Sequence, residues 1–301
     1  AAELGVAKVA PLLADQARDR SRSPSSRAEA LARLDRLGDA IADADRLLTD
    51  DSPVVRSAAR RVRARHRPAA EVLPDLVAAT GAADPRERQA AVDLLGSIDD
   101  PGAVLAVRGL AERLGGSERD PATEIEVVEA AQRRLGAEAA ERIVAARAAG
   151  EGALAAWRDC LEGGDPDRGR SVFFGKAAVS CVRCHKAEGN GGEVGPPLDG
   201  KLAEKGREHL LESIVAPDAK VADAWRTTVI LTDDGRTVAG IVTGEQEGIV
   251  SLRVADGTVL RIPAASIEER ASGPSAMPAD LAGKLTRREL RDLVAWLGSL
   301  R

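Results

Sequence analysis

Serine or aspartate stands directly before proline at Ser52-Pro53, Asp84-Pro85, Asp100-Pro101 and Asp120-Pro121, and a run with helical periodicity lies at or just after each pair. Proline in a first helical turn sacrifices no intrahelical hydrogen bond, and the short polar side chain before it can cap the exposed N–H groups. These dipeptides therefore mark helix starts. Residues 54–66, 69–81, 85–98, 103–116, 123–136 and 139–150 each fit an amphipathic period near 3.6. The starts near 53, 85 and 121 imply a two-helix repeat of about 32 to 36 residues.

The stretch DSPVVRSAARRV, residues 51–62, resembles the opening of a HEAT-type repeat. That resemblance implies stacked helical pairs over residues 1–160. On periodicity alone, a stacked module and an irregular helical bundle both remain open.

The core must be built with few rings: Tyr is absent, and the aromatic residues are Phe173, Phe174, Trp157, Trp225 and Trp296. Ala, Leu, Val and Ile carry the packing, which suits close-packed helices. With 43 basic against 48 acidic residues, the formal net charge is -5. Nucleic-acid binding calls for a basic stripe, and the run RRVRARHR at 60–67 reads as one solvated helix face. No apolar stretch reaches the length of a membrane span, and no basic start followed by an apolar secretory segment opens the sequence.

LEGGDPDRG, residues 161–169, breaks the helical pattern. Across roughly 225–268 the periodicity changes to short β-branched runs at 228–232, 237–243, 248–254 and 258–262, with DDG and ADG turns among them. These predict hairpins and a small twisted sheet or barrel, read as a covering or docking element. In the last segment, Thr286 and Glu289 are spaced as a capping box, and Leu290, Leu293, Val294 and Leu297 form the apolar stripe of a final helix.

Two of the three cysteines fall in CVRCH, residues 181–185. A thioredoxin-type pair belongs at a helix start after a strand in an α/β domain, and no such alternation surrounds this one. A zinc site needs four ligands, and the remaining candidates, Cys160, His66 and His209, are scattered. Covalent haem accounts for each character: Cys181 and Cys184 form thioethers, and His185 ligates iron from one face. A low-spin haem needs a second strong ligand. Met277, the only methionine, stands in the loop SAMP and is the candidate, with His209 as chief rival and His66 behind it. The proximal imidazole also needs an acceptor for its other nitrogen, and Pro196 in GPPL is placed to offer its carbonyl.

In sequence order, GGDPDRGRSVFF (163–174), CVRCH, GNGGEVGPPL (189–198), HLLESIVAPDAKV (209–221), DGRTVAG (234–240), SAMP (275–278) and LTRRELRDLVAWL (285–297) resemble the class I c-type cytochromes. They are most similar to the haem-binding domain at the C-terminal end of large secreted planctomycete and verrucomicrobial proteins. The resemblance covers about 160–301 and implies a mainly α chain: HEAT-like repeats over 1–160, then a monohaem cytochrome c domain over 161–301 with a β insert near 225–268. It implies one covalent haem c on Cys181 and Cys184, axial His185 and Met277, a Pro196 carbonyl partner, and a contact of Gly169 and Phe173 with the last helix through Leu293 and Trp296.

The function so implied is electron transfer, not catalysis, with a redox protein such as a periplasmic dehydrogenase or another cytochrome as partner. Haem c maturation implies a periplasmic or otherwise exported location. A gas-binding or peroxidase-like haem, and a repeat scaffold that docks a dehydrogenase, are the alternatives. Cys160 is left as a buried thiol, a reactive surface thiol or half of an intermolecular disulfide.

Overall fold

The computed structural model describes residues 2–114, 119–147, 152–200 and 203–300. The chain is mainly α-helical, and it divides into two compact units, Ala1–Ala149 and Gly150–Arg301.

The first unit is built of α1 (Ala2–Arg18), α2 (Pro24–Arg36), α3 (Ile41–Leu47), α4 (Pro53–His66), α5 (Ala69–Ala79), α6 (Pro85–Ser97), α7 (Pro101–Leu114), α8 (Glu124–Leu135) and α9 (Ala137–Arg147). The prolines open α4, α6 and α7 and the 3-10 turn Pro121–Thr123 ahead of α8. Ser23-Pro24 opens α2 in the same way, with Ser23 Oγ accepting from the Ser26 N–H at 3.2 Å. Asp84 and Asp120 cap as the pattern predicts. Ser52 makes no such bond; its own N–H donates to Asp50 Oδ1 at 3.0 Å.

A recurrent arginine ties one helix start to the next. Three residues after the opening proline, Arg27, Arg56 and Arg88 each donate to backbone carbonyls of an earlier segment and to a carboxylate further on. Arg27 bonds Ala17 O at 3.0 Å and Asp50. Arg56 bonds Asp50 O at 2.7 Å and Glu87 Oε1 at 2.8 Å, and Arg88 bonds Ala82 O at 2.8 Å and Asp120 at 2.9 Å. Three residues after Pro121, Glu124 stands instead and pairs with Arg119, and after Pro101 that position is Val104. Around this ladder, Leu31, Leu34, Ala44 and Val55 fill one core cluster and Leu76, Leu95, Val107 and Ala130 a second.

In the second unit, the 3-10 segment Ala155–Cys160 is followed by α10 (Pro166–Gly175), α11 (Cys181–Cys184), the two-residue strands β1 (Lys186–Ala187) and β2 (Asn190–Gly191), and α12 (Gly206–Val215). Next come β3 (Thr227–Thr232), β4 (Thr237–Gln246), β5 (Ile249–Arg253), β6 (Val259–Pro263) and β7 (Ile267–Ser272), then α13 (Arg287–Leu297). The boundary between units lies at 149/150, not at 160/161. Residues 155–160 pack on α13, where Arg287 donates to Ala156 O at 2.7 Å and to Asp159 at 2.6 Å, with its guanidinium 4.7 Å from the Trp157 ring.

The antiparallel sheet has the order β6-β5-β4-β3-β7. Only the three-residue turn Ala264–Ser266 joins β6 to β7, although they are opposite edges. The sheet must therefore curl until its edges approach, and the irregularity between Val242 and Gly244 in β4 supplies a bend of the kind bulges give. Ile230, Val250, Leu252 and Ile262 fill its interior.

The capping box of α13 is present, with Glu289 also held by Lys176 at 2.6 Å. Leu290, Leu293, Val294 and Leu297 are all buried. α13 crosses α10 at Gly169, where an added Cβ would fall onto the Asp292 carbonyl and within 2.8 Å of Trp296 Cβ. Phe173 meets Trp296 at 4.8 Å between ring centroids. The crossing therefore closes on Asp292 and Trp296.

Candidate functional site

Between Phe173 in α10 and His185 the chain makes a tight entry. Val179 is buried, and Ser180 adopts φ +47°, a left-handed conformation uncommon outside glycine. From there α11 makes a single turn that places Cys181 and Cys184 on successive levels as free thiols, and the His185 N–H closes it on Cys181 O at 3.0 Å. Burial pushes the Cys181 thiol up to about 11. It is thus protonated near neutrality, unlike the thiolate that a thiol-disulfide catalyst exposes.

His185 is held from two sides. Its Nδ1 lies 2.9 Å from the Pro196 carbonyl oxygen, and because a carbonyl only accepts, Nδ1 carries the proton and Nε2 keeps its lone pair. Burial holds the imidazole below the ordinary histidine range, partly offset by that bond. Gly195 lies against the ring: a Cβ there would come within 2.6 Å of Cε1.

The glycines of GNGGEVG wrap the turn closely. Gly192 N donates to Val182 O at 2.9 Å and Gly195 N to Cys184 O at 2.8 Å. A Cβ on Gly191 or Gly192 would strike the carbonyls of His185 or Arg183. The sheet reaches the same loop, with Arg253 donating to Glu193 O at 2.5 Å.

Cys181, Cys184, His185, Pro196 and Met277 all line one cavity of about 1090 Å³. Leu210, Ile214, Leu293, Leu297 and Phe173 supply apolar walls, and Trp225 and Ile241 add a contribution from the insert and its approach. Met277 sits in a braced loop: its N–H donates to Ser275 Oγ at 3.2 Å, and the Ser275 N–H donates to Asp218 Oδ1 at 2.6 Å. The structure thus gathers all five predicted residues. His209 lines the same cavity. His66 does not; its Nε2 pairs with Asp35 Oδ1 at 2.6 Å within the first unit.

The donor set suits a ligand that brings most of its own metal coordination. Among the described residues no three His, Cys, Asp or Glu side chains converge as ligands, so the four-ligand geometry of a structural zinc site has no counterpart there. One imidazole, one thioether and two thiols on a large, mostly apolar cavity fit a covalently attached macrocycle.

Cys160 is fully buried beside Asp159, with Sγ 3.5 Å from Arg287 O. Burial, then the neighbouring Asp159, pushes its thiol up to about 12. It is a buried thiol, not a surface one. No family model matches the chain, and no curated protein matches it. Among the described residues no helix is long and apolar enough to cross a membrane.

The sequence pattern alone did not single out Gly191, Gly192 and Gly195 as supports of the turn. Their density so close to CVRCH was the available signal.

Proposed function

We propose that the second unit is a class I cytochrome c-type domain that carries one covalent haem c and transfers electrons. The observation that carries this reading is the meeting of Cys181, Cys184, His185, Pro196 and Met277 on one cavity, with the His185 tautomer set for ligation. When bound, haem would supply a one-electron ferric/ferrous couple; Cys181 and Cys184 are the residues that would hold it covalently, and His185 Nε2 and the Met277 sulfur those that would ligate its iron.

The chain's own part is to keep that site closed and constant. Pro196 and Gly195 fix the imidazole, the brace through Ser275 and Asp218 limits movement of the methionine loop, and the leucine-rich walls exclude water. With His185 and Met277 both offered to the iron, the site would leave no open place for substrate, which favours electron transfer over peroxide or gas chemistry.

In the first unit, the helix starts and the arginine ladder support a HEAT-like repeat module. Stacked helical pairs present extended surfaces, and a redox protein, either a dehydrogenase or another cytochrome, is the partner class we assign to the chain. Covalent haem attachment takes place outside the cytoplasm, so the proposed location is periplasmic or exported.

The test is expression in a host able to attach haem c, followed by acid-acetone extraction and mass measurement under denaturing conditions. Colour that stays with the chain, and a mass raised by one haem, are expected. A colourless chain of unmodified mass from that host would overturn the reading.

A further inference from the structure

Glu193, Val194, Gly195 and Pro196 are consecutive, and the two halves of the stretch face different elements. Gly195 lies against the His185 ring, and the Pro196 carbonyl accepts from Nδ1 at 2.9 Å. The two residues before them face the sheet. The Arg253 guanidinium donates to the Glu193 carbonyl at 2.5 Å, and the turn between β5 and β6 brings the Gly257 backbone to the buried Val194, where a Cβ on the glycine would lie 3.9 Å from Cγ2. No residue separates the pair held by the sheet from the pair that holds the ring, so a shift of one passes directly to the other.

β5 is itself fixed where Arg253 leaves it. Arg253 is the register partner of Ile241 in β4, and directly opposed residues of antiparallel strands point to the same face. Ile241 lines the cavity that holds Cys181, Cys184 and His185. One cross-strand pair thus gives the cavity an apolar wall and the loop beside His185 a cation. The strands close tightly here, for a Cβ on Gly240 would fall 2.4 Å from the Arg253 carbonyl oxygen. The bond to Glu193 comes from an ionised donor, roughly twice as strong as a neutral one.

We propose that Arg253 is a positioning residue for His185: by holding the Glu193 carbonyl, the β insert keeps the Pro196 carbonyl on Nδ1 and so sets the redox balance of the haem site. The inference rests on the haem reading above. A firm Nδ1–H bond to a carbonyl makes the imidazole a stronger donor through Nε2, and a stronger donor favours ferric iron. A slackened loop weakens that bond and favours ferrous iron. Loss of the guanidinium charge by itself acts in the opposite sense, because a nearby cation disfavours the more positive ferric site. The sign of the shift therefore separates the hydrogen bond from the charge.

The test is a potentiometric titration of the full haem-loaded chain, paired with solvent exchange of the His185 Nδ1 proton followed by NMR in the diamagnetic ferrous state. Arg253→Met keeps the aliphatic stem and drops the donor. It should raise the ferrous-to-ferric ratio at a fixed potential by about threefold to tenfold, tenfold being about 59 mV for one electron, and the Nδ1 proton should exchange faster. Arg253→Lys keeps the charge and a donor and should restore both, since Glu193 O takes its bond from a single guanidinium nitrogen. Arg236→Met, in the turn between β3 and β4, should change neither.

A potential and an exchange rate unchanged in Arg253→Met, with no more than a lower melting temperature, would overturn the proposal, as would a shift toward ferric iron. Either failure leaves the haem reading intact; a chain with no covalent haem would end both.

Discussion

The Gly195 backbone lies so close to the His185 ring that a Cβ would come within 2.6 Å of Cε1, while the next residue, Pro196, accepts from Nδ1 of the same ring at 2.9 Å. One short stretch therefore sets both the plane and the tautomer of the imidazole. Gly195→Ala should push the ring aside. Thioether attachment is expected to survive, because Cys181 and Cys184 are untouched, while the low-spin spectrum weakens. A spectrum identical to wild type would show that the ring position is set elsewhere.

Met277 stands on the same cavity, in the loop braced by Ser275 and Asp218. Met277→Ala should abolish the methionine charge-transfer band at the red end of the visible spectrum and open the iron to carbon monoxide. His209→Gln should do neither. Retention of the band in Met277→Ala would reassign the sixth ligand.

Burial holds the Cys160 thiol at about 12 against an ordinary value of 9.0. A folded pKa raised above the unfolded one contributes stability that is complete below about pH 9 and is lost as pH climbs toward 12. Folded protein should therefore resist thiol reagents at pH 8, where the buried thiol stays protonated. Denatured haem-loaded chain should release one reactive thiol, Cys160; three would mean that the thioethers do not exist.

Glu87 is buried between Arg56 and Arg60 in the first unit. Burial alone would raise its carboxyl, but the two guanidiniums outweigh it and hold the pKa below the ordinary value. Its contribution is thus present above about pH 4.5 and is lost as pH falls. Arg56→Ala leaves that carboxylate with one partner fewer and should destabilise the unit by about 3 kcal/mol, at the low end for a broken buried pair because Arg60 remains. Chemical denaturation monitored by circular dichroism would measure it, and a change under about 0.5 kcal/mol, the range of ordinary surface substitutions, would contradict the ladder's role.

At the α10–α13 crossing, Gly169→Val would place side-chain atoms on the Asp292 carbonyl. The second unit should lose thermal stability by several degrees, in line with the usual cost of overpacking. An unchanged melting temperature would mean that the helices can separate freely.

Much of this architecture was legible because its signals are local. Proline after Ser or Asp gave the starts of α4, α6 and α7, and alternation gave β3 to β6. β7 was missed because all but its first residue are exposed, so it has no apolar alternation; it is defined by pairing with β3. The packing of residues 155–160 on α13 was not legible for a similar reason: the partner helix lies more than a hundred residues away. CVRCH announced the site's chemistry, whereas the close approach of Gly192 and Gly195 is a matter of backbone distance that composition does not encode.

The most direct test of a closed His185/Met277 haem is the visible spectrum of the purified chain, oxidised and reduced, with carbon monoxide added to the reduced form. A methionine charge-transfer band in the ferric state, and a ferrous spectrum unmoved by carbon monoxide, are predicted. Loss of that band with ready carbon monoxide binding would contradict the closed site and turn attention to gas or peroxide chemistry.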